Sequence, residues 1–238
     1  MRPLWLLALT AVAACGLDFS EPVVDTPAFL LVSVRLTDSL PTGEAQISGR
    51  MWPGYDADGQ MRTLTDSSLR IMDRTISPDA GSSTDLPRDI AYADTWEFDP
   101  DAPLGPAEVR APAIPGIEEG APELRLAPPW RVGPANVTVA PGSPLRLDLA
   151  IVTEPADTVV ESWRLDLVKD ARTVAQMSAN GPAPPTIEVP WAMLAVLADG
   201  GEARLSVAQS VTTPQNGRRY AATLVVYTRH VWFVTVQP

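Results

Sequence analysis

Residues 29–37 read Phe-Leu-Leu-Val-Ser-Val-Arg-Leu-Thr, and their period decides the fold. Every second position carries a branched apolar side chain, namely Leu30, Val32, Val34 and Leu36. The positions between them include Ser33 and Arg35. Side chains of a β-strand alternate between the two faces of a sheet, so this stretch predicts a strand with one buried and one solvated face.

The same alternation recurs along the chain. Further strand candidates are residues 44–52, 68–72, 90–98, 145–151, 159–167, 186–189, 202–210, 220–227 and 231–236. We interpret residues 227–230 as a bend between the last two strands. Residues 190–197 are compatible with one helical turn, but their Trp and Met favour a packed crossing between sheets. The 25 Pro and 15 Gly residues fall mostly between the apolar runs. Many short strands separated by turn residues predict an all-β fold of antiparallel β-sandwich type.

Proline is dense between residues 99 and 134, and this region predicts a domain boundary. Proline lacks the N–H group that a strand ladder needs, so residues 128–134 cannot supply a continuous ladder. We therefore expect two tandem β-sandwich domains, at residues 28–134 and 135–238, with one larger β domain as the alternative. A weak internal similarity supports two domains, because Glu-Leu-Arg-Leu at 123–126 matches Glu-Ala-Arg-Leu at 202–205.

The second predicted domain resembles a known class of module. It has a strand tryptophan, Trp163, and the stretch Gly-Glu-Ala-Arg-Leu-Ser-Val at 201–207. With its strand spacing, residues 135–238 are similar to immunoglobulin-like and fibronectin type III-like β-sandwiches. The resemblance implies a self-contained module of about 100 residues with Trp163 central to its core. It is a resemblance of pattern, since the chain lacks the cysteine pair of antibody domains.

The first 14 residues have the composition of a signal peptide. Arg2 precedes an apolar stretch at 4–12, which is too short to span a bilayer, since a spanning helix needs about 20 residues. The following Val12-Ala13-Ala14-Cys15 resembles the lipobox of bacterial lipoproteins. The resemblance implies cleavage before Cys15 and acylation of its thiol, with residues 15–27 as a tether. Gly16 stands where an Asp would favour the inner membrane, which points to the outer membrane. Plain secretion is the alternative.

Charge and composition exclude several classes of function. The formal net charge of −11 repels phosphates, so we expect no nucleic-acid partner and no electrostatic binding to anionic lipid. Membrane association is then expected through the lipid anchor alone. One Cys and one His exclude an intramolecular disulfide and a multi-histidine metal site. Phosphate-binding and dinucleotide-binding glycine motifs are absent, so no cofactor is expected.

Three candidate sites remain. Asp56 and Asp58 in Asp-Ala-Asp-Gly resemble part of a calcium loop, but the positions that need an acidic residue at the two ends of an EF-hand are Gly54 and Thr65. A hairpin turn is the favoured interpretation, with a weak calcium site as the alternative. Trp52 falls on the polar face of its strand and is the best candidate for stacking against a ligand.

His230 is the one imidazole of the chain, and no Gly-x-Ser-x-Gly turn accompanies it, so we expect it to be structural. The sequence as a whole favours a non-enzymatic, envelope-anchored lipoprotein that binds a protein or glycan, or acts as a spacer. The alternative is a surface hydrolase, or an accessory protein of glycan processing, with a site that the sequence does not reveal.

Overall fold

A computed structural model describes residues 25–38, 42–64, 68–79, 89–100, 105–117, 120–150, 159–197, 199–213 and 218–237. These residues form fifteen strands and one short helical segment. The strands are β1 (Ala28–Asp38), β2 (Gly43–Trp52), β3 (Leu69–Ile71), β4 (Arg74–Ile76), β5 (Ile90–Phe98), β6 (Ala107–Arg110), β7 (Glu123–Leu126), β8 (Trp130–Arg131), β9 (Asn136–Val139), β10 (Leu145–Ala150), β11 (Val159–Lys169), β12 (Arg172–Asn180), β13 (Thr186–Val189), β14 (Gly201–Thr212) and β15 (Tyr220–Val236).

One large sheet extends through the whole fold. The sheet has eight strands. Seven of them lie side by side in the order β12-β11-β14-β15-β1-β2-β5, and the eighth, β9, pairs with the last residues of β15. Most neighbours are antiparallel, but β1 and β15 run parallel over their entire contact, from Ala28 opposite Tyr220 to Asp38 opposite His230. A parallel pair needs a long connection between its strands. Here the connection includes most of the chain.

Two smaller sheets cover one face of the large sheet, side by side. The sheet β4-β3-β6-β7 lies over one end and the sheet β13-β10-β8 over the other. Each encloses a hydrophobic core, which we call core 1 and core 2 respectively. Core 1 takes side chains from β1, β2 and the first part of β15, and core 2 takes them from β10, β11 and the last part of β15. The structure therefore confirms an all-β fold of sandwich type.

Residues 191–197 form the helical turn that the sequence allowed. Helix α1 (Trp191–Leu194) continues into a 3₁₀ turn (Ala195–Leu197). Leu194 and Leu197 are fully buried in core 2. Over the described ranges, no helix has the length and apolar character needed to cross a bilayer.

The prediction of a bend over residues 227–230 is wrong, because β15 is continuous for 17 residues. Its inward positions alternate without interruption through Val226, Thr228, His230 and Trp232, all of which are buried. The sequence pattern suggested a break because two polar residues interrupt the apolar series. Burial of polar groups requires partners, and His230 has them, as described below.

The division into two domains stays a prediction. Two cores exist, but they share one sheet, and β14 and β15 contribute side chains to both. The resemblance of residues 135–238 to immunoglobulin-like modules also stays a prediction.

Candidate functional site

A buried polar cluster lies where the two cores meet. It consists of Asp38 at the end of β1, Arg131 in β8 and His230 in β15, and all three side chains are about 1% exposed. Arg131 Nε donates to Asp38 Oδ2 at 2.8 Å, and Nη2 reaches Oδ1 at 3.3 Å. The guanidinium also donates to the carbonyl oxygens of Gly133 and Pro100. The cluster therefore links β1 and β15 of the large sheet to β8 of a covering sheet.

Both ring nitrogens of His230 face oxygen acceptors. Nδ1 lies 3.0 Å from Asp38 Oδ2, and Nε2 lies 3.0 Å from the carbonyl oxygen of Pro129. The Asp38 carboxylate and the Pro129 carbonyl oxygen can each accept a hydrogen bond from a ring N–H group. Burial raises the pKa of Asp38, but hydrogen bonds and charge from His230 and Arg131 outweigh burial and hold it below its ordinary value.

The cluster is built for structure rather than for chemistry on a substrate. Asp38 and His230 are enclosed on all sides, with Trp130 and Trp232 against the ring at centroid distances of 5.2 Å and 6.2 Å. Its polar groups form hydrogen bonds with one another and with backbone carbonyl oxygens. A general base must reach the proton that it removes, and the described residues leave the His230 side chain only about 1% exposed. This arrangement agrees with the structural role expected for His230.

An accessible groove lies on the opposite face of the large sheet, which none of the described elements covers. Its volume is about 840 Å³, and side chains from β1, β2, β11, β12, β14 and β15 line it. The strand alternation that sends one set of residues into the cores sends the other set into this groove. Tyr227 of β15 lies at its centre, with its side chain 44% exposed, opposite Arg35 of β1.

The groove wall is polar and carries few ionisable groups. Its lining includes six hydroxyl and amide side chains on the outer face, those of Thr37, Gln46, Ser162, Ser178, Asn180 and Ser206. Its cations are Arg35, Arg164 and Arg229, and its single anion among the described lining residues is Glu44. Arg164 is paired with Asp166 at 2.8 Å. Arg35 and Arg229 have no ion-pair partner within the part of the chain that the structure describes.

Trp52 lies on the same outer face as the groove but does not line it. Its side chain is 40% exposed, beside the equally exposed Phe29 on β1, and its ring meets Tyr55 edge-on at 6.4 Å. It lies six positions from Gln46 along β2, about 20 Å at the rise of a strand. The face therefore has an aromatic end and a polar, cationic part. Whether Trp52 stacks against a ligand stays a prediction.

Asp56 is engaged by its own turn. Its Oδ1 accepts hydrogen bonds from the backbone N–H groups of Asp58 at 3.0 Å and Gln60 at 2.8 Å. Gly59 takes a φ of +74°, in the left-handed region, and its N–H donates to the Asp56 carbonyl. In the described part of the chain no three His, Cys, Asp or Glu side chains come together as a metal site would require. The turn expected at Asp56 to Gly59 is present. The weak calcium site at Asp56 and Asp58 stays a prediction.

Cys15, the signal peptide and the tether up to residue 24 lie outside the described residues. The lipidation of Cys15 is therefore a prediction from the sequence alone.

The groove residues were missed by the sequence analysis, although their positions were visible. Arg35 stands on the polar face of the predicted strand at 29–37, and Tyr227 and Arg229 were assigned to a strand end and a bend. What places Arg35 beside Tyr227 and Arg229 is the parallel pairing of β1 with β15. That pairing links residues 192 positions apart, and no local pattern reveals it.

No protein-family model matches the chain. No curated protein matches it either.

Proposed function

We propose that this protein is a non-enzymatic, envelope-anchored lipoprotein that binds a ligand in the groove on the outer face of its large sheet. Acylation at Cys15 would hold the chain at the membrane, and residues 16–27 would separate the sheet from the bilayer. The outer membrane is the proposed location, on its periplasmic or surface side.

The single observation that carries the binding role is the uncovered groove. One face of the large sheet is covered by two smaller sheets, whereas the other face presents a groove of about 840 Å³ to solvent. A volume of this order is typical of small-ligand sites. A sheet whose only role was to space two objects would have no need for an accessible concave surface.

The groove chemistry supports binding over hydrolysis. Hydrolysis of a glycoside needs two carboxyl groups on either side of the scissile bond, and Glu44 is the one carboxylate among the described lining residues. His230 is buried on the other side of the sheet. The lining offers hydrogen-bond donors and acceptors without a nucleophile and base in contact.

Two experiments test the proposal. For the anchor, radiolabelled palmitate should enter the wild-type protein, and Cys15→Ala should abolish both the labelling and the retention in membranes. Label that persists in the variant would overturn the lipoprotein assignment.

For the groove, Ala208→Trp would fill its floor, because Ala208 lies opposite Tyr227 on β14. The matched control is Arg146→Trp, at an exposed position of β10 in the covering sheet. Both variants and the wild type are used to capture components of detergent-solubilised envelopes, and equal melting temperatures establish folding. A component held by the wild type and the control, but lost with Ala208→Trp, is the expected result. Identical capture by all three proteins would remove the groove as the binding site.

A further inference from the structure

We infer that the ligand of the groove is an acidic glycan, bound through its carboxylate groups by Arg35 and Arg229. The inference rests on the proposed function, since it names the ligand class of the same groove.

The groove is a locally cationic region on a protein whose net charge is negative. The chain has 18 basic and 29 acidic residues, so most of its surface carries negative charge. Arg35 and Arg229 nevertheless face the groove together, without an ion-pair partner among the described residues. Surface charges act over about 8 Å at physiological ionic strength. Glu44 is the one carboxylate among the described lining residues, so the two arginines leave the groove with a local positive charge that outweighs the more distant negative charge.

The register places both arginines within reach of one anion. Arg35 lies opposite Tyr227, and Arg229 lies opposite Thr37, on adjacent parallel strands. An offset of two residues along neighbouring strands separates their Cα atoms by about 8 Å, and guanidinium groups on long side chains can converge across that distance. Arginine binds carboxylates through paired N–H donors in a fixed plane. The geometry thus suits a planar carboxylate between the two side chains.

The rest of the lining favours a sugar over a peptide. Extended peptides commonly bind by adding a strand to a sheet edge, where free backbone groups are available. The groove reaches the edge strand β12, but Arg35 and Arg229 lie on β1 and β15, in the middle of the strand order, where the backbone groups are paired with strands on both sides. At the two arginines recognition must come from side chains, and the lining supplies hydroxyls, the amides of Gln46 and Asn180, and the exposed ring of Tyr227. Such groups match the hydroxyls and apolar ring faces of a glycan.

The test uses the full-length chain in non-ionic detergent and four probes. The first two are an oligogalacturonate and its fully methyl-esterified form, which has the same sugar without charge. Polyglutamate supplies carboxylates on a peptide, and an oligonucleotide supplies phosphates. The variants are Arg35→Gln and Arg229→Gln, with Arg146→Gln as the matched control, an exposed arginine outside the groove. Binding is measured by calorimetry at low and at physiological salt.

We expect the oligogalacturonate to bind and the ester to bind at least tenfold more weakly. Loss of a hydrogen-bonded charge typically weakens binding about tenfold or more, so each groove variant should lose about that factor and Arg146→Gln should lose none. Equal binding of acid and ester would overturn the anionic class while leaving the groove as a glycan site. Stronger binding of polyglutamate or the oligonucleotide would overturn the glycan. Binding that none of the groove variants, including Ala208→Trp, reduces would overturn both this inference and the proposed groove. Absence of binding to all four probes would overturn the acidic-glycan inference alone, since the capture experiment tests the groove independently.

Discussion

Asp38 is the residue on which the junction between the two cores depends. Its carboxylate accepts hydrogen bonds from Arg131 and from His230, and each of these side chains is as buried as Asp38 itself. A buried cation without a counter-charge is costly, because desolvation is no longer offset. Asp38 therefore holds two buried donors in place at once.

Asp38→Asn should destabilise the protein by about 3–5 kcal/mol, the usual cost of removing one partner of a buried ion pair. Urea unfolding measures the change. Asp89→Asn is the matched control, since Asp89 is 53% exposed and lies 3.5 Å from Arg50 in a surface pair. Surface pairs contribute about 0–1 kcal/mol. A loss no larger for Asp38→Asn than for the control would contradict the role assigned to the cluster.

The lowered pKa of Asp38 also predicts how stability depends on pH. The unfolded carboxyl titrates near 3.9 and the folded one lower, so between these values the unfolded state binds more protons and stability rises with pH. The contribution of Asp38 is present above about pH 4 and is lost as the pH falls through the folded-state pKa. The unfolding free energies of wild type and Asp38→Asn should therefore converge at low pH. A difference that stays constant from pH 6 to pH 2.5 would refute this.

At the scale of elements, β15 organises the fold. Over 17 residues it pairs with β14 on one side, and with β1 and then β9 on the other. Its inward side chains begin in core 1 with Ala222, Leu224 and Val226, pass the polar junction, and end in core 2 with Trp232 and Val234. Its outward side chains supply the middle of the groove. One strand thus determines where both cores and the groove lie.

The large aromatic of core 2 is Trp232 rather than Trp163. Trp232 is 2% exposed, whereas Trp163 is partly buried and packs against the edge of the core. The expectation that Trp163 is central is wrong because the position that faces the core centre belongs to β15. Trp232→Ala should cost about 3–5 kcal/mol, and Trp163→Ala clearly less, as measured by chemical denaturation. The reverse order would show that core 2 is organised around β11.

At the scale of the whole molecule, the two cores differ in which parts of the chain supply their buried residues. The buried residues of core 2 all lie between Val139 and Val234, so they come from the second half of the chain. Core 1 includes Val211, Tyr220, Ala222, Leu224 and Val226 in addition to residues of the first half. Core 1 therefore depends on strands that follow residue 134. Core 2 takes none of its buried residues from before that point, although β8 of its covering sheet does come from there.

This asymmetry predicts the behaviour of the two halves. Residues 135–238 expressed alone should fold around core 2, in line with the predicted domain boundary, but residues 220–226 should exchange their amide hydrogens quickly because β1 is missing. Residues 28–134 alone should stay unfolded. Hydrogen exchange with mass spectrometry measures both fragments against the full chain. Protection throughout the isolated first half would show that core 1 needs nothing from β15.

Local pattern by itself determined the strands and their buried faces. The alternate residues Leu30, Val32, Val34 and Leu36 enter core 1, and the apolar residues of 145–149 and 203–207 enter core 2, because alternation follows directly from backbone geometry. The position of Trp52 on the polar face of its strand and the turn at Asp56 could also be predicted from the sequence, since both depend on neighbours within a few residues. Such features need no knowledge of the distant chain.

Only the tertiary structure decided which strands meet. Short elements such as β4, β8 and β12 were missed because they have few residues or exposed side chains on both faces, and their pairing partners define them. The parallel pairing of β1 with β15 brings Asp38 to His230 on one face and Arg35 to Tyr227 on the other. Pairing between strands nearly 200 residues apart is selected by packing and by burial of the whole sheet, because many registers satisfy the same local alternation.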